Sequence, residues 1–179
     1  MNSKYAIMLW GIPESGESVA TCISELISAT HTTKYISPKT LMKHLSLKQR
    51  KKPCIEQSRD KELEECEADV IIYDGTMSPT LSIKSSLECL SKHRNKIFIV
   101  RIGCAKSNIE HISRELSKVG KTLDSKWIEM ATKIFSFDLS SVYATISRAS
   151  FEVIDADVVD SVNIASDKIL DSIEMVLED

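Results

Sequence analysis

The stretch YAIMLWGIPESGES, residues 5–18, decides how this chain is read. Residues 5–10 form an apolar run of the kind expected for a strand covered on both faces. Gly11 and Gly16 then bracket four residues, and an apolar helical pattern follows over 18–28. Glycines at both ends of so short a loop let backbone N–H groups curl into a concavity that larger side chains would obstruct. Outward from this point the pattern repeats. Residues 69–73, in DVIIYDG, and residues 96–102, in KIFIVRIG, are continuous β-branched strands. Residues 151–154 give a fourth strand and 34–37 a weaker fifth.

Helical faces separate these strands. One covers 37–45; Leu81, Ile83, Leu87 and Leu90 make the next, and Ile109, Ile112, Leu116 and Val119 another. Val162, Ala165, Ile169, Ile173 and Val176 recur at three and four residues and give an amphipathic C-terminal helix. Strand and helix alternate from end to end, which predicts an α/β sandwich of three layers around a mostly parallel five-stranded sheet. Residues 124–148 interrupt the alternation with a longer helical stretch. Its first apolar face is Trp127, Met130, Ala131, Ile134 and Phe135; its second is Leu139, Val142, Tyr143 and Ile146, with a break expected at Phe137 and Asp138.

Composition narrows the function. Hydrophobic residues make up 42% and charged residues 27% of 179, a globular balance that suits one domain over residues 1–179. A net charge of −3 provides no field that would draw the chain to nucleic acid. The apolar run at 5–10 is too short to span a membrane, and no cleavage pattern follows it. Cys22, Cys54, Cys66, Cys89 and Cys104 are odd in number and scattered, and His31, His44, His93 and His111 stand apart. Reduced thiols in a cytoplasmic protein, with no zinc site, are expected.

The loop at 11–18 has the spacing G-x-x-x-x-G-K-[ST], except that Glu17 stands at the lysine position. The backbone of such a loop cradles phosphates, the following helix contributes its positive end, and the hydroxyl of Ser18 would ligate magnesium. Glu17 opposes this chemistry. Two unit charges a few ångströms apart interact by about 1 kcal/mol in water and about 4 kcal/mol at an effective dielectric near 20. Exchanging attraction for repulsion therefore costs several kcal/mol of triphosphate affinity, and Glu14 adds a second carboxylate to the loop. The strand at 69–73 ends in Asp74, Gly75 and Thr76, where a carboxylate beside the loop would hold the magnesium shell.

These segments resemble the phosphate-loop kinase superfamily, in particular its polynucleotide kinase and zeta-toxin-like group, with nucleoside monophosphate kinases as cousins. LWGIPESGES resembles the nucleotide loop, and YISPKTLMKHL the second strand and acceptor-side helix. VIIYDGTMS resembles a strand that often reads Val-Ile-x-Asp-x-Thr. IFIVRIGCAKSNIEHISRE resembles the strand and helix before an arginine-bearing lid, and FEVIDA the last strand. The resemblance implies a lid-like helical region at residues 105–148 and ATP or another nucleotide with Mg2+ as ligand. The departures fall on the chemistry. Where such kinases carry an acceptor-side aspartate as general base, this chain has Pro38 or Lys39. Of the lid arginines only Arg114 stands in place, followed by Lys118 and Lys121.

A second charged feature is the basic segment 39–52, with Lys39, Lys43, His44, Lys48, Arg50, Lys51 and Lys52. It lacks the interleaved aromatics that stack bases, which argues against nucleic acid. A solvated loop is expected there, with a polyanion, a phosphorylated substrate or an acidic protein partner as the functional alternatives. The resulting expectation is a divergent kinase-like nucleotide-binding protein, inactive or weak. Gly11, Ser15, Gly16, Glu17 and Ser18 would line the nucleotide, Ser18 and Asp74 would hold magnesium, and Asp74 and Arg114 would be the catalytic residues. Two alternatives stay open: an active kinase of a nucleotide, nucleic-acid end or small metabolite with a relocated cation such as Lys121, and a scaffold that binds no nucleotide.

Overall fold

The computed structural model describes residues 4–12, 15–76, 83–144, 146, 148–158, 160 and 162–177. Glu14 and Leu81 lie outside the described residues, as do the side chains of Tyr143, Val162 and Val176. Five strands form one sheet: β1 (Tyr5–Gly11), β2 (Thr33–Ile36), β3 (Val70–Asp74), β4 (Lys96–Gly103) and β5 (Ser150–Asp157). Their order across the sheet is β2-β3-β1-β4-β5, and every neighbouring pair is parallel. Parallel neighbours need a crossover, and the helical segments supply it. These are α1 (Gly16–Ile27), α2 (Pro38–Met42), α3 (Lys52–Glu64), α4 (Ile83–His93), α5 (Lys106–Lys118), α6 (Ser125–Ser136), α7 (Ser140–Tyr143) and α8 (Val162–Leu177).

The apolar strands are continuous because alternate residues serve opposite layers. Ile7, Leu9, Ile72, Phe98 and Val100 pack with Val19, Ile23 and Ile27 of α1 and Ala165, Ile169 and Ile173 of α8. Ala6, Met8, Ile71, Tyr73, Ile97 and Ile99 pack on the other face with Leu41, Ile55, Leu63, Leu87 and Leu90. A third cluster joins Ile12 and Cys104 to Ile109 of α5 and to Ala131 and Ile134 of α6, with Trp127 partly buried against it. That packing accounts for Trp127 as core, and it also ties residues 105–136 to the loop after β1. The expected break at Phe137 is present: α6 stops at Ser136 and only the short α7 follows.

The main difference from expectation is α3, which had no counterpart in the sequence pattern. It spans a basic-to-acidic stretch and buries only Ile55, Arg59 and Leu63, at i, i+4 and i+8. The middle anchor is an arginine, 3% exposed, whose guanidinium donates to Asp60 Oδ1 at 2.8 and 2.9 Å. Such a stripe has too few apolar members to register as amphipathic. The basic segment is therefore folded into α2, a single 3₁₀ turn at Leu47–Gln49 and the start of α3.

Candidate functional site

In a sheet of this order the connections leave β1 for one side and return to the other, and ligands of such folds bind beyond the carboxyl ends of the strands at that switch. Gly11 and the head of α1 stand there. Gly11 has φ +146°, and a Cβ on it would lie 2.0 Å from the Ile102 carbonyl oxygen of β4. Both the backbone angle and the contact demand glycine. The same carbonyl accepts from Ile12 N–H at 2.9 Å, so the loop leaves β1 pinned to β4. Ser15 closes the turn by donating its hydroxyl to the Ile12 carbonyl at 2.6 Å.

Gly16 is required by a different neighbour. A Cβ there would lie 2.4 Å from Asp74 Oδ1 and 2.9 Å from Thr76 Oγ1. Its own N–H donates to Thr76 Oγ1 at 3.2 Å. Asp74 is fully buried and its carboxylate is held by three donors. Thr76 gives Oδ1 its N–H at 2.9 Å and its hydroxyl at 2.6 Å, and the Tyr35 hydroxyl reaches Oδ2 at 3.0 Å. Burial is the main reason the Tyr35 phenol is pushed up to about 12; the Asp74 and Glu17 carboxylates add to it, against a Ser37 hydrogen bond. The phenol stays protonated and donates throughout the physiological range. Gly16, Asp74, Thr76 and Tyr35 thus form one hydrogen-bonded knot at the ends of β2 and β3.

The charged residues stand outside this knot. Glu17 is in the first turn of α1 and accepts from Lys39 Nζ at 3.0 and 3.2 Å. Both side chains are about half exposed, at 52% and 53%. Lys39 is placed by α2, where Ser37 caps the helix by accepting from Thr40 N–H, and Pro38 is buried in the first turn. Ser18 is exposed one residue beyond Glu17. Arg114 is exposed on α5, and among the described residues no hydrogen bond or ion pair joins it to the loop. Lys118 pairs with Glu115 at 2.6 Å.

Of the expected site residues, the fold brings Gly11, Ser15, Gly16, Glu17, Ser18 and Asp74 together, and leaves Arg114 apart. Three contributors were missed as such. Thr76 had a signal, since it completes the Asp-x-Thr pattern after β3. Tyr35 had none, because nothing local distinguishes a tyrosine that will meet a carboxylate 39 residues away. Lys39 was seen, but as a substitute for a missing base and not as the partner of Glu17.

The residues fit a phosphate in part. The exposed Ser18 hydroxyl, the positive end of α1 and the Lys39 ammonium are suitable donors, whereas Gly16 N–H is already spent on Thr76. Asp74 lies behind Thr76 and Gly16, so a part in holding magnesium would run through oriented hydroxyls or water, which that ion commonly retains.

The fold and the loop together define the class: this is a phosphate-loop kinase fold. Solved structures resemble the chain over nearly its whole length. Shikimate kinase from Aquifex aeolicus vf5 is 18% identical, with 95% of this chain and 96% of that chain covered and a TM-score of 0.51. Chaetomium thermophilum Kti12, solved in complex with ADP-AlF3, is 14% identical, with 94% and 98% covered and a TM-score of 0.51. No protein-family model matches the sequence, and no curated protein matches it. Among the described residues no helix is long and apolar enough to cross a membrane.

Proposed function

We propose that the chain is a cytoplasmic, kinase-like nucleotide-binding protein whose loop carries an inverted charge and which transfers phosphate poorly or not at all. The observation that carries this reading is Glu17, fixed in the first turn of α1 at the place of the loop lysine and paired there with Lys39. Gly11, Ser15, Gly16 and Ser18 would face the phosphates, with Glu17 as the residue that weakens them. Ser18, and Asp74 from behind Thr76, would hold magnesium, and Arg114 would serve as the lid cation. Phosphoryl transfer depends on positioned positive charge. A site whose central lysine is a carboxylate, and whose acceptor side offers Pro38 and Lys39 in place of a base, lacks that charge at its centre and a base for the attacking hydroxyl.

A second reading has its own support. Gly16 N–H is bonded to Thr76, and Ile12 is buried against α5 and α6, so part of the loop is closed upon the protein. This favours a scaffold that binds no nucleotide and uses another surface. The basic segment suits an acidic protein partner. Lys43, Lys48, Lys51 and Lys52 make no ion pair among the described residues, and Lys51 and Lys52 stand at the head of α3, where the helix dipole disfavours cations. Charges kept at a local cost favour a use outside the fold. Calorimetry with ATP, ADP and AMP, with and without magnesium, separates the two. Weak but measurable affinity for ATP supports the first reading, and none for any nucleotide leaves the scaffold.

A further inference from the structure

The loop glutamate and the first turn of α2 have exchanged signs relative to the kinases this chain resembles. There the loop would carry a lysine and the acceptor-side helix an aspartate. Here Glu17 stands in the loop and Lys39 on α2, and the ammonium meets both carboxylate oxygens at 3.0 and 3.2 Å. The two residues are 22 positions apart, so their meeting is a product of the fold. We propose that Lys39 is the phosphate-contacting cation of this loop, held by Glu17 until a phosphate takes its place. The inference rests on the nucleotide-binding reading above and names the residue that makes it possible.

Three features carry it. The Lys39 ammonium already lies within hydrogen-bond reach of the side chain that occupies the loop-lysine position, so it starts beside the head of α1. The pair is half exposed, and pairs of that kind contribute little to stability and are easily exchanged. A triphosphate presents several negative charges against the single one of Glu17, so it competes well for the ammonium. Among the described residues no hydrogen bond or ion pair joins Lys118, Arg114 or Lys121 to the loop, whereas Lys39 is bonded to it. Glu17 then has two effects: it repels the phosphates, and it occupies the cation that stands beside the head of α1. Affinity is low for both reasons, and freeing Lys39 should raise it.

The decisive experiment is a double-mutant cycle in MgATP affinity, by calorimetry, over the wild type, Glu17→Gln, Lys39→Met and the double variant. Both side chains are exposed enough that all four proteins should fold, which far-UV circular dichroism and thermal unfolding verify. Glu17→Gln should bind MgATP about tenfold more tightly than wild type, since repulsion falls and Lys39 is released. In that background Lys39→Met should weaken binding again by about tenfold, with a smaller effect on ADP and none on adenosine. If Lys39 merely neutralises Glu17, Lys39→Met will change nothing once Glu17 is Gln, and the inference is overturned while nucleotide binding stands. If neither the wild type nor Glu17→Gln binds any nucleotide, the nucleotide reading itself fails and takes this one with it.

Discussion

Replacing Gly16 by Ala sets a local preference against a tertiary contact. Gly16 opens α1, and alanine is favoured over glycine in helices by about 1 kcal/mol. Read from sequence, the substitution stabilises. The structure reverses the sign. The new methyl would lie 2.4 Å from Oδ1 and 2.8 Å from Cγ of Asp74, and 2.9 Å from Oγ1 of Thr76. Neither neighbour is the free end of a mobile chain, because the carboxylate is fully buried and held by Thr76 and Tyr35. Making room costs about 1–3 kcal/mol of overpacking, and loosening one bond to a charged acceptor costs about 1.5–3 kcal/mol more. Less the helix gain, the net loss is about 1.5–5 kcal/mol. For a domain of this size that lowers Tm by about 3–20 °C. Thermal and urea unfolding of the wild type, Gly16→Ala and the exposed control Ser18→Ala would measure it. A Gly16→Ala protein as stable as wild type would refute the close packing of Asp74 on the loop, and with it the knot that orders this end of the sheet.

Other outcomes follow from the same geometry. Glu17→Lys loses the Lys39 pair and sets two ammonium groups side by side, yet both positions are half exposed, so stability should fall by no more than about 1 kcal/mol. Triphosphate affinity should rise by about tenfold or more, declining through diphosphate to nucleoside, while phosphate transfer stays slow for want of an acceptor base; calorimetry and a transfer assay read the two separately. Reversing Lys48, Arg50, Lys51 and Lys52 to glutamate should weaken binding to polyglutamate and flatten its salt dependence without unfolding the chain, since acidic groups suit the head of α3; unchanged binding would remove the basic segment as a docking surface. The acid limb of stability should depend on Asp60. Burial alone would raise its carboxyl, but the Cys89 thiol and then the Arg59 guanidinium outweigh that and hold it below its ordinary value. Its stabilisation is therefore present above about pH 4 and is lost as pH falls through the lower folded value, and Asp60→Asn should flatten that limb in urea titrations at stepped pH.

The sequence by itself determined the layers and pointed to the candidate site. Continuous apolar strands such as 69–73 and 96–102, alternating with helical faces, leave a covered parallel sheet as the arrangement that buries them, and the glycines at 11 and 16 mark where the chain turns tightly after the first strand. These are local signals, carried by residue type and period. Only the tertiary structure decided what the glycines and charges were for. Gly11 faces the Ile102 carbonyl, Gly16 faces Asp74 and Thr76, and Tyr35 closes on Asp74, each contact made between segments far apart in the chain. Helix α3 was illegible because its central anchor, Arg59, becomes a core residue only through Asp60 and Ser85 beside it. Glu17 in isolation reads as an unopposed negative charge in a phosphate loop. Beside Lys39 it is half of an ion pair, because the fold brings the first turns of α1 and α2 within side-chain reach of each other, and no periodicity along one segment encodes where another segment will meet it.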